Sequence, residues 1–223
     1  MKVSLVSYTQ PAGILENTDV KTPTDLVAFC ARVSNPTNQM NAETSEKLIK
    51  YLIKHRHWSP LEMVDATMEI ETTRDIARQM LRHRSFSFQE FSQRYSDISA
   101  FGDESFEFSQ ARLQDEKNRQ NSVETDNHTL KTIWMIKQKE LAQNAQRTYE
   151  WAIKNGIAKE VARKVLPEGL TKSRMYMKGS LRSWIHYLEV RGEGSGTQKE
   201  HMLVAAEIAK IIAQLFPVSS ELK

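Results

Sequence analysis

Between Val64 and Glu71 the chain alternates strictly: Val64, Ala66, Met68 and Ile70 are apolar, and Asp65, Thr67, Glu69 and Glu71 are polar. Successive side chains on a strand point to opposite faces, so this period-two pattern specifies a half-buried strand. It is the cleanest such pattern in the chain. Three weaker strand candidates lie at residues 2–8, around Phe106–Phe108 and at 173–178, and helical patterns separate the strands from one another. A helix-rich chain with a few strands set between helices favours an α+β domain.

The helices announce themselves by periodicity and by their ends. Thr22-Pro23-Thr24-Asp25 combines a hydroxyl cap, proline in the first turn and an acid, so a helix starts there and should end near Ser34-Asn35-Pro36. Leu48, Ile49, Leu52 and Ile53 mark one face of a helix over roughly 43–55. Thr72-Thr73 opens a third, which carries Ile76, Ala77, Met80 and Leu81 on one face and Arg74, Arg78 and Arg82 on another. A long helix is expected from about Thr129 to Asn155 with Gly156 as its stop, and a short one from Ala158 to Leu166. Ser180 should cap a helix reaching Val190, and Thr197-Gln198-Lys199-Glu200 has the form of a capping box for the last helix. Residues 97–128 are rich in polar side chains and are the candidate for a mobile or inserted segment.

Composition narrows the class. A length of 223 residues suits one domain over 1–223, and 39% hydrophobic residues supply a core. A net charge of +3 is too mild to demand nucleic acid or an anionic membrane, so an anion site must come from local clustering. The single cysteine, Cys30, excludes an intrachain disulfide and a cysteine-based zinc site, and reads as a small buried apolar residue. With no signal-like start and no apolar run of membrane-spanning length, a cytoplasmic protein without a membrane partner is expected.

Chemistry concentrates in residues 74–95, which hold Arg74, Arg78, Arg82, His83, Arg84 and Arg94 against only Asp75 and Glu90. Arginine forks match phosphate oxygens, and a turn containing Ser85, Ser87 and Ser92 adds neutral donors. No glycine-rich phosphate loop is present, so arginines would have to hold any nucleotide. The plainer reading is a solvated basic helix end over a core of Phe86, Phe88 and Phe91. An RNA or single-stranded DNA binder, stacking those rings on bases, is the alternative. A metal-dependent nucleotide hydrolase using His55, His57, Glu62 and His83 is a further rival, although two histidines separated by one residue do not share a helix face. Ser180, Arg182, His186 and Arg191 form a third, weaker group on the expected helix.

The arrangement Arg82-His83-Arg84, seven residues, then Ser92, with Glu90 and Arg94 in place, resembles the signature of the flavin-dependent thymidylate synthase family. Other segments resemble that family in order: Ala31-Arg32-Val33-Ser34, His55-Arg56-His57-Trp58-Ser59-Pro60, Glu160-Val161-Ala162-Arg163 with Leu166-Pro167, and Ser180-Leu181-Arg182 through Arg191 to Gln198 and Glu200. Two positions depart: Gln89 stands where the family usually has Asn, and so does His186, where the change bears on how one flavin edge is held.

The resemblance implies a fold of long helices packed with a small antiparallel sheet, and a homotetramer with shared active sites. It implies methylation of dUMP to dTMP, with 5,10-methylenetetrahydrofolate as carbon donor and NADPH as reductant through bound FAD; no metal or nucleic acid is implied. By motif position, FAD would meet Ser59, Arg82, His83, Arg84, Glu90, Ser180, Arg182 and His186. The nucleotide would meet Gln79, Arg82, Glu90, Ser92, Gln93, Arg94, Arg163 and Arg191. Arg191 is implied to be catalytic, favouring negative charge on the pyrimidine as it becomes a carbon nucleophile. Ser92 is expected to orient substrate rather than attack it. Cys30 has no motif support for the nucleophilic role that thymidylate synthases of the other, unrelated kind give to a cysteine.

Overall fold

A computed structural model describes residues 1–217 of the chain; residues 218–223 of the expected domain lie outside the described residues. The elements run β1 (Lys2–Tyr8), α1 (Pro23–Ala31), α2 (Ser45–Lys54), β2 (Asp65–Thr73), α3 (Arg74–Met80) and β3 (Ser87–Glu90). They continue with β4 (Arg112–Gln114), β5 (Ser122–Glu124), α4 (His128–Lys154), α5 (Lys159–Ala162), β6 (Lys172–Ser180), α6 (Leu181–Arg191) and α7 (Lys199–Leu215). Four strands form one antiparallel sheet in the order β1-β2-β6-β3, and β4 pairs with β5 in a separate hairpin. The α+β class and the small antiparallel sheet are as expected.

The alternation that opened the sequence is the centre of this sheet. Met68 of β2 stands opposite Met177 of β6, and Ile70 opposite Met175, all on the covered face and all buried. The other face carries Glu71 opposite Arg174, bonded at 2.5 Å, with Lys178 3.1 Å from Asp65. Helices seal the apolar face with Ile76, Met80, Trp184, Val204, Ile208 and Ile212, all fully buried. Burying a Met or Ile side chain this completely contributes about 1.5–3 kcal/mol each. Among the described residues, no helix is long and apolar enough to cross a membrane.

Local chemistry explains the element ends. At α1 the Thr22 hydroxyl accepts from the Asp25 N–H (3.1 Å), and the Asp25 carboxylate accepts from the Thr22 N–H (3.0 Å). Ser180 caps α6 by accepting from the Ser183 N–H at 3.3 Å. Gly156 ends α4 with φ of +79°, a left-handed conformation that costs glycine little. Gly179 answers a different need: a Cβ there would sit 2.4 Å from the Phe86 ring, which packs edge-on against Trp184 at 4.6 Å.

Four expectations fail. Ser87–Glu90 is a strand rather than part of a serine-rich turn, because the free edge of β6 offers it a ladder from Ser87↔Lys178 to Glu90↔Met175. The capping box at Thr197 does not form: the Thr197 hydroxyl donates to the Val190 carbonyl (3.2 Å), and Glu200 is held by Arg112 at 2.7 Å. A charge-assisted bond outcompetes a neutral cap. In 97–128 the short strand near 106–108 reduces to one bridge, Phe106↔Thr171, while Ile98–Glu104 is a 3-10 turn and 112–124 a hairpin. Cys30 is half-buried rather than buried.

Candidate active site

The motif is threaded around the edge of the sheet. β2 runs straight into α3, whose last turn delivers Gln79 and then Arg82 and His83. The His83 N–H donates to Met80 (3.0 Å) and the Phe86 N–H to His83 (3.3 Å), so the chain doubles back with Phe86 as its buried anchor. It returns as β3 beside β6, and the Phe91 N–H donates to the Arg174 carbonyl at 2.8 Å. Phe86 is buried on Trp184, Phe88 is half-buried against the core, and Phe91, also half-buried, meets Phe101 at 4.9 Å.

α6 brings its end to the motif. The Arg191 Nε–H donates to His83 Nε2 at 2.9 Å, with both side chains half-buried. Burial first, then the charges of Arg191, His186 and Arg82, pushes the His83 imidazolium from its ordinary 6.5 down to about 4. His83 is therefore neutral near pH 7 and accepts at Nε2. Arg191 keeps its charge and, with Nε fixed, can turn only its terminal nitrogens toward a ligand. Tyr187, edge-on to His83 at 5.0 Å, contacts the buried His201, which in turn meets Gln79.

On the other side of α3, Glu90 accepts from the Ser173 hydroxyl (2.8 Å) and pairs with Arg78 (3.3 Å) and Arg74 (3.8 Å). Arg78 also reaches Glu168 at 3.2 Å. Burial, then the neighbouring charge of Arg78, lowers the Arg74 proton affinity, and Arg163 adds to that repulsion. Arg94 pairs with Glu160 of α5 at 3.2 Å. Gln93 is buried, and its Nε2 has no hydrogen-bond partner among the described residues.

A cavity of about 350 Å³ opens on the far side of the motif, lined by Trp58, Glu62, Ser85, Arg182, Ser183, His186 and Glu189. The Ser183 hydroxyl donates to the Ser85 carbonyl (3.3 Å), tying α6 to the loop, and Arg182 pairs with Glu62. Ser59 is exposed on the turn beside Trp58. The structure thus joins His83 with Arg191, sets Arg182 and His186 in one cavity with the motif loop, and connects Gln79 through His201 to α6. Arg82, Arg84, Ser92 and Arg94 stand exposed along the motif, and Ser180 serves as the α6 cap.

Sequence reasoning noticed Arg74 and Arg78 but gave them no place in the site; their four-residue spacing with Arg82 was the available signal. Ser173, Tyr187 and His201 sit on apolar faces of secondary structure and gave no signal at all. Among the described residues no three His, Cys, Asp or Glu side chains converge as a metal group. Glu62 pairs with Arg182, and His83 Nε2 accepts from Arg191.

The family model described as "Thymidylate synthase complementing protein" matches residues 14–218. The probable flavin-dependent thymidylate synthase of Paramecium bursaria Chlorella virus 1 is 45% identical over 217 residues, covering 97% of this chain and 96% of that one. The chain belongs to the flavin-dependent thymidylate synthase family. The family enzyme of Synechocystis sp. is 46% identical over the same share of both chains. Among solved structures, this family member resembles the UMP/dUMP methylase PolB of Streptomyces cacaoi bound with 5-Br dUMP: TM-score 0.80, 27% identity, covering 99% of this chain and 93% of that one. The same methylase bound with 5-Br UMP superposes with a TM-score of 0.79. Nothing in the fold or in these likenesses supports the nucleic-acid alternative.

Proposed function

We propose that this chain methylates dUMP to dTMP, with 5,10-methylenetetrahydrofolate as carbon donor and NADPH as reductant through FAD. The observation that carries the reading is Arg191 held against neutral His83 inside the family motif. In the balanced reaction the pyrimidine carbon loses its hydrogen as a proton and gains a methyl group, and the folate leaves as tetrahydrofolate. The folate supplies the one-carbon unit at the methylene level, and a hydride from the nicotinamide completes it. Bound FAD would supply the redox chemistry; this chain's residues supply position and charge.

The residues present fit both ligands. A dianionic phosphate suits Arg94, which pairs with Glu160 of α5, and Arg163, which follows α5, with Ser92 as a neutral donor. On ligand binding Arg94 exchanges an exposed pairing with Glu160 for a phosphate. The orphaned Gln93 amide, buried on the motif, is a donor awaiting an acceptor. Gln79, Arg82, Glu90 and Arg191 complete the nucleotide set. Arg191 stays cationic and stabilises negative charge on the ring without acting as a base. Ser59, Arg82, His83, Arg84, Glu90, Ser180, Arg182 and His186 are the flavin set, with Trp58 adding an apolar wall.

One cavity of about 350 Å³ is at the small end for ligand pockets and holds only part of a dinucleotide. With Arg82, Arg84 and Ser92 exposed in a single copy, the reading includes a homotetramer whose subunits complete each other's sites. It also includes one domain and an intracellular setting, where folate and reduced nicotinamide are at hand. The test is the visible spectrum of the purified protein. Yellow protein that bleaches when NADPH is added supports the reading. Colourless protein whose affinity for nucleic acid falls steeply with salt refutes it.

A further inference from the structure

Behind the motif runs a line of side chains of which only Gln79 belongs to the site residues above. Glu200 accepts from Gln198 Nε2 (3.1 Å), and Gln198 Oε1 accepts from Gln79 Nε2 (2.7 Å). Gln79 Oε1 lies 3.2 Å from His201 Nδ1, and His201 Nε2 lies 3.0 Å from the Tyr187 hydroxyl. His201 and Tyr187 have no exposed surface.

The one group that cannot donate sets the direction of every bond. A carboxylate has no proton, and Arg112 holds this one at 2.7 Å, so Gln198 must turn its NH2 toward Glu200 and its oxygen toward Gln79. That oxygen requires the NH2 of Gln79, which leaves the Gln79 oxygen facing His201. An amide oxygen only accepts, so the His201 proton sits on Nδ1 and Nε2 is bare. The Tyr187 hydroxyl then donates to Nε2. Every link of the line then joins one donor to one acceptor. Reversing any amide puts two oxygens, or two N–H groups, face to face.

We infer that His201 is a positioning residue that holds the Gln79 amide by its oxygen while Gln198 holds it by one N–H, so that Gln79 presents its second N–H to the nucleotide. A donor at that place selects a pyrimidine carbonyl over a pyrimidine amino group, which makes the line a specificity device for uracil against cytosine. This rests on Gln79 being part of the dUMP site.

Equilibrium binding of dUMP and of dCMP to the purified flavoprotein tests the inference, with melting temperature measured beside it. His201→Phe leaves the Gln79 oxygen without its donor and loosens the amide, which Gln198 then holds from one end only. It is expected to weaken dUMP about tenfold, the loss of one good hydrogen bond, and to bring dUMP and dCMP within about threefold of each other. His201→Asn places an N–H close to the position of Nδ1 and is expected to restore most of the preference. Tyr187→Phe leaves the Nδ1–H bond to Gln79 in place and is expected to keep it. Should His201→Phe fail to fold, His201→Gln serves: it keeps a polar partner for Tyr187 but withdraws the donor from Gln79, with the same loss expected. A variant that melts earlier yet keeps the wild-type dUMP-to-dCMP ratio overturns the inference and makes His201 packing alone. Wild-type protein that binds neither nucleotide overturns the dUMP reading itself, and the inference with it.

Discussion

Acid should unfold this protein through His201. The imidazole is fully buried; burial first, then the charges of Arg191 and His83, pushes it from the ordinary 6.5 down to about 3. In the unfolded chain the same group takes up its proton near its ordinary value. Between these two values the unfolded state holds a proton that the native state refuses, so the stabilising contribution is complete above about pH 6.5 and is lost as pH falls. The slope is about 1.4 kcal/mol per pH unit, which integrates to about 2 kcal/mol between pH 7.5 and pH 5. For a chain of this size that is about 4–8 °C of melting temperature. His83, held down to about 4, acts in the same direction, but its half-exposed position shrinks its share through solvent screening. The assay is the melting temperature of wild type and His201→Asn at both pH values. The variant should lose about 4–8 °C less than wild type on acidification. Equal losses in the two proteins would refute the buried neutral histidine.

Three further outcomes follow from the site and its frame. Arg191→Ala should lower turnover about 10²–10³-fold with FAD still bound, and Arg191→Lys should not rescue it, because lysine cannot both bond His83 and present a second donor edge; single-turnover kinetics checks both. Cys30→Ser should keep full steady-state activity, since Cys30 lies on α1 outside the site and burial raises its thiol pKa, away from the thiolate a nucleophile needs. Gly179→Ala should cost about 1–3 kcal/mol in a denaturant titration, because the added Cβ meets a Phe86 ring already packed on Trp184.

What was legible in the sequence was what local physics decides. The β2 alternation, the Thr22–Asp25 box, the Ser180 cap and the Gly156 stop each depend on residues close in the chain, and each forms. β3 was illegible because four residues of serine-rich sequence become a strand only when the edge of β6 accepts them. The Thr197 box failed for a related reason: Glu200 found Arg112, 88 residues away, more rewarding than a backbone N–H nearby. The motif told which residues matter but not how they meet. That Arg191 bonds His83 across 108 residues, or that His201 reads Gln79 across 122, is a property of the packing of α6 and α7 on α3.

Reductive methylation at the pyrimidine ring is decided by whether purified protein forms dTMP. With dUMP, 5,10-methylenetetrahydrofolate and NADPH all supplied, dTMP should form with one NADPH consumed per product, and omission of any one should abolish it. Flavin-loaded protein that makes no dTMP under these conditions, or that makes it undiminished without NADPH, would exclude NADPH-driven methylation of dUMP by this chain.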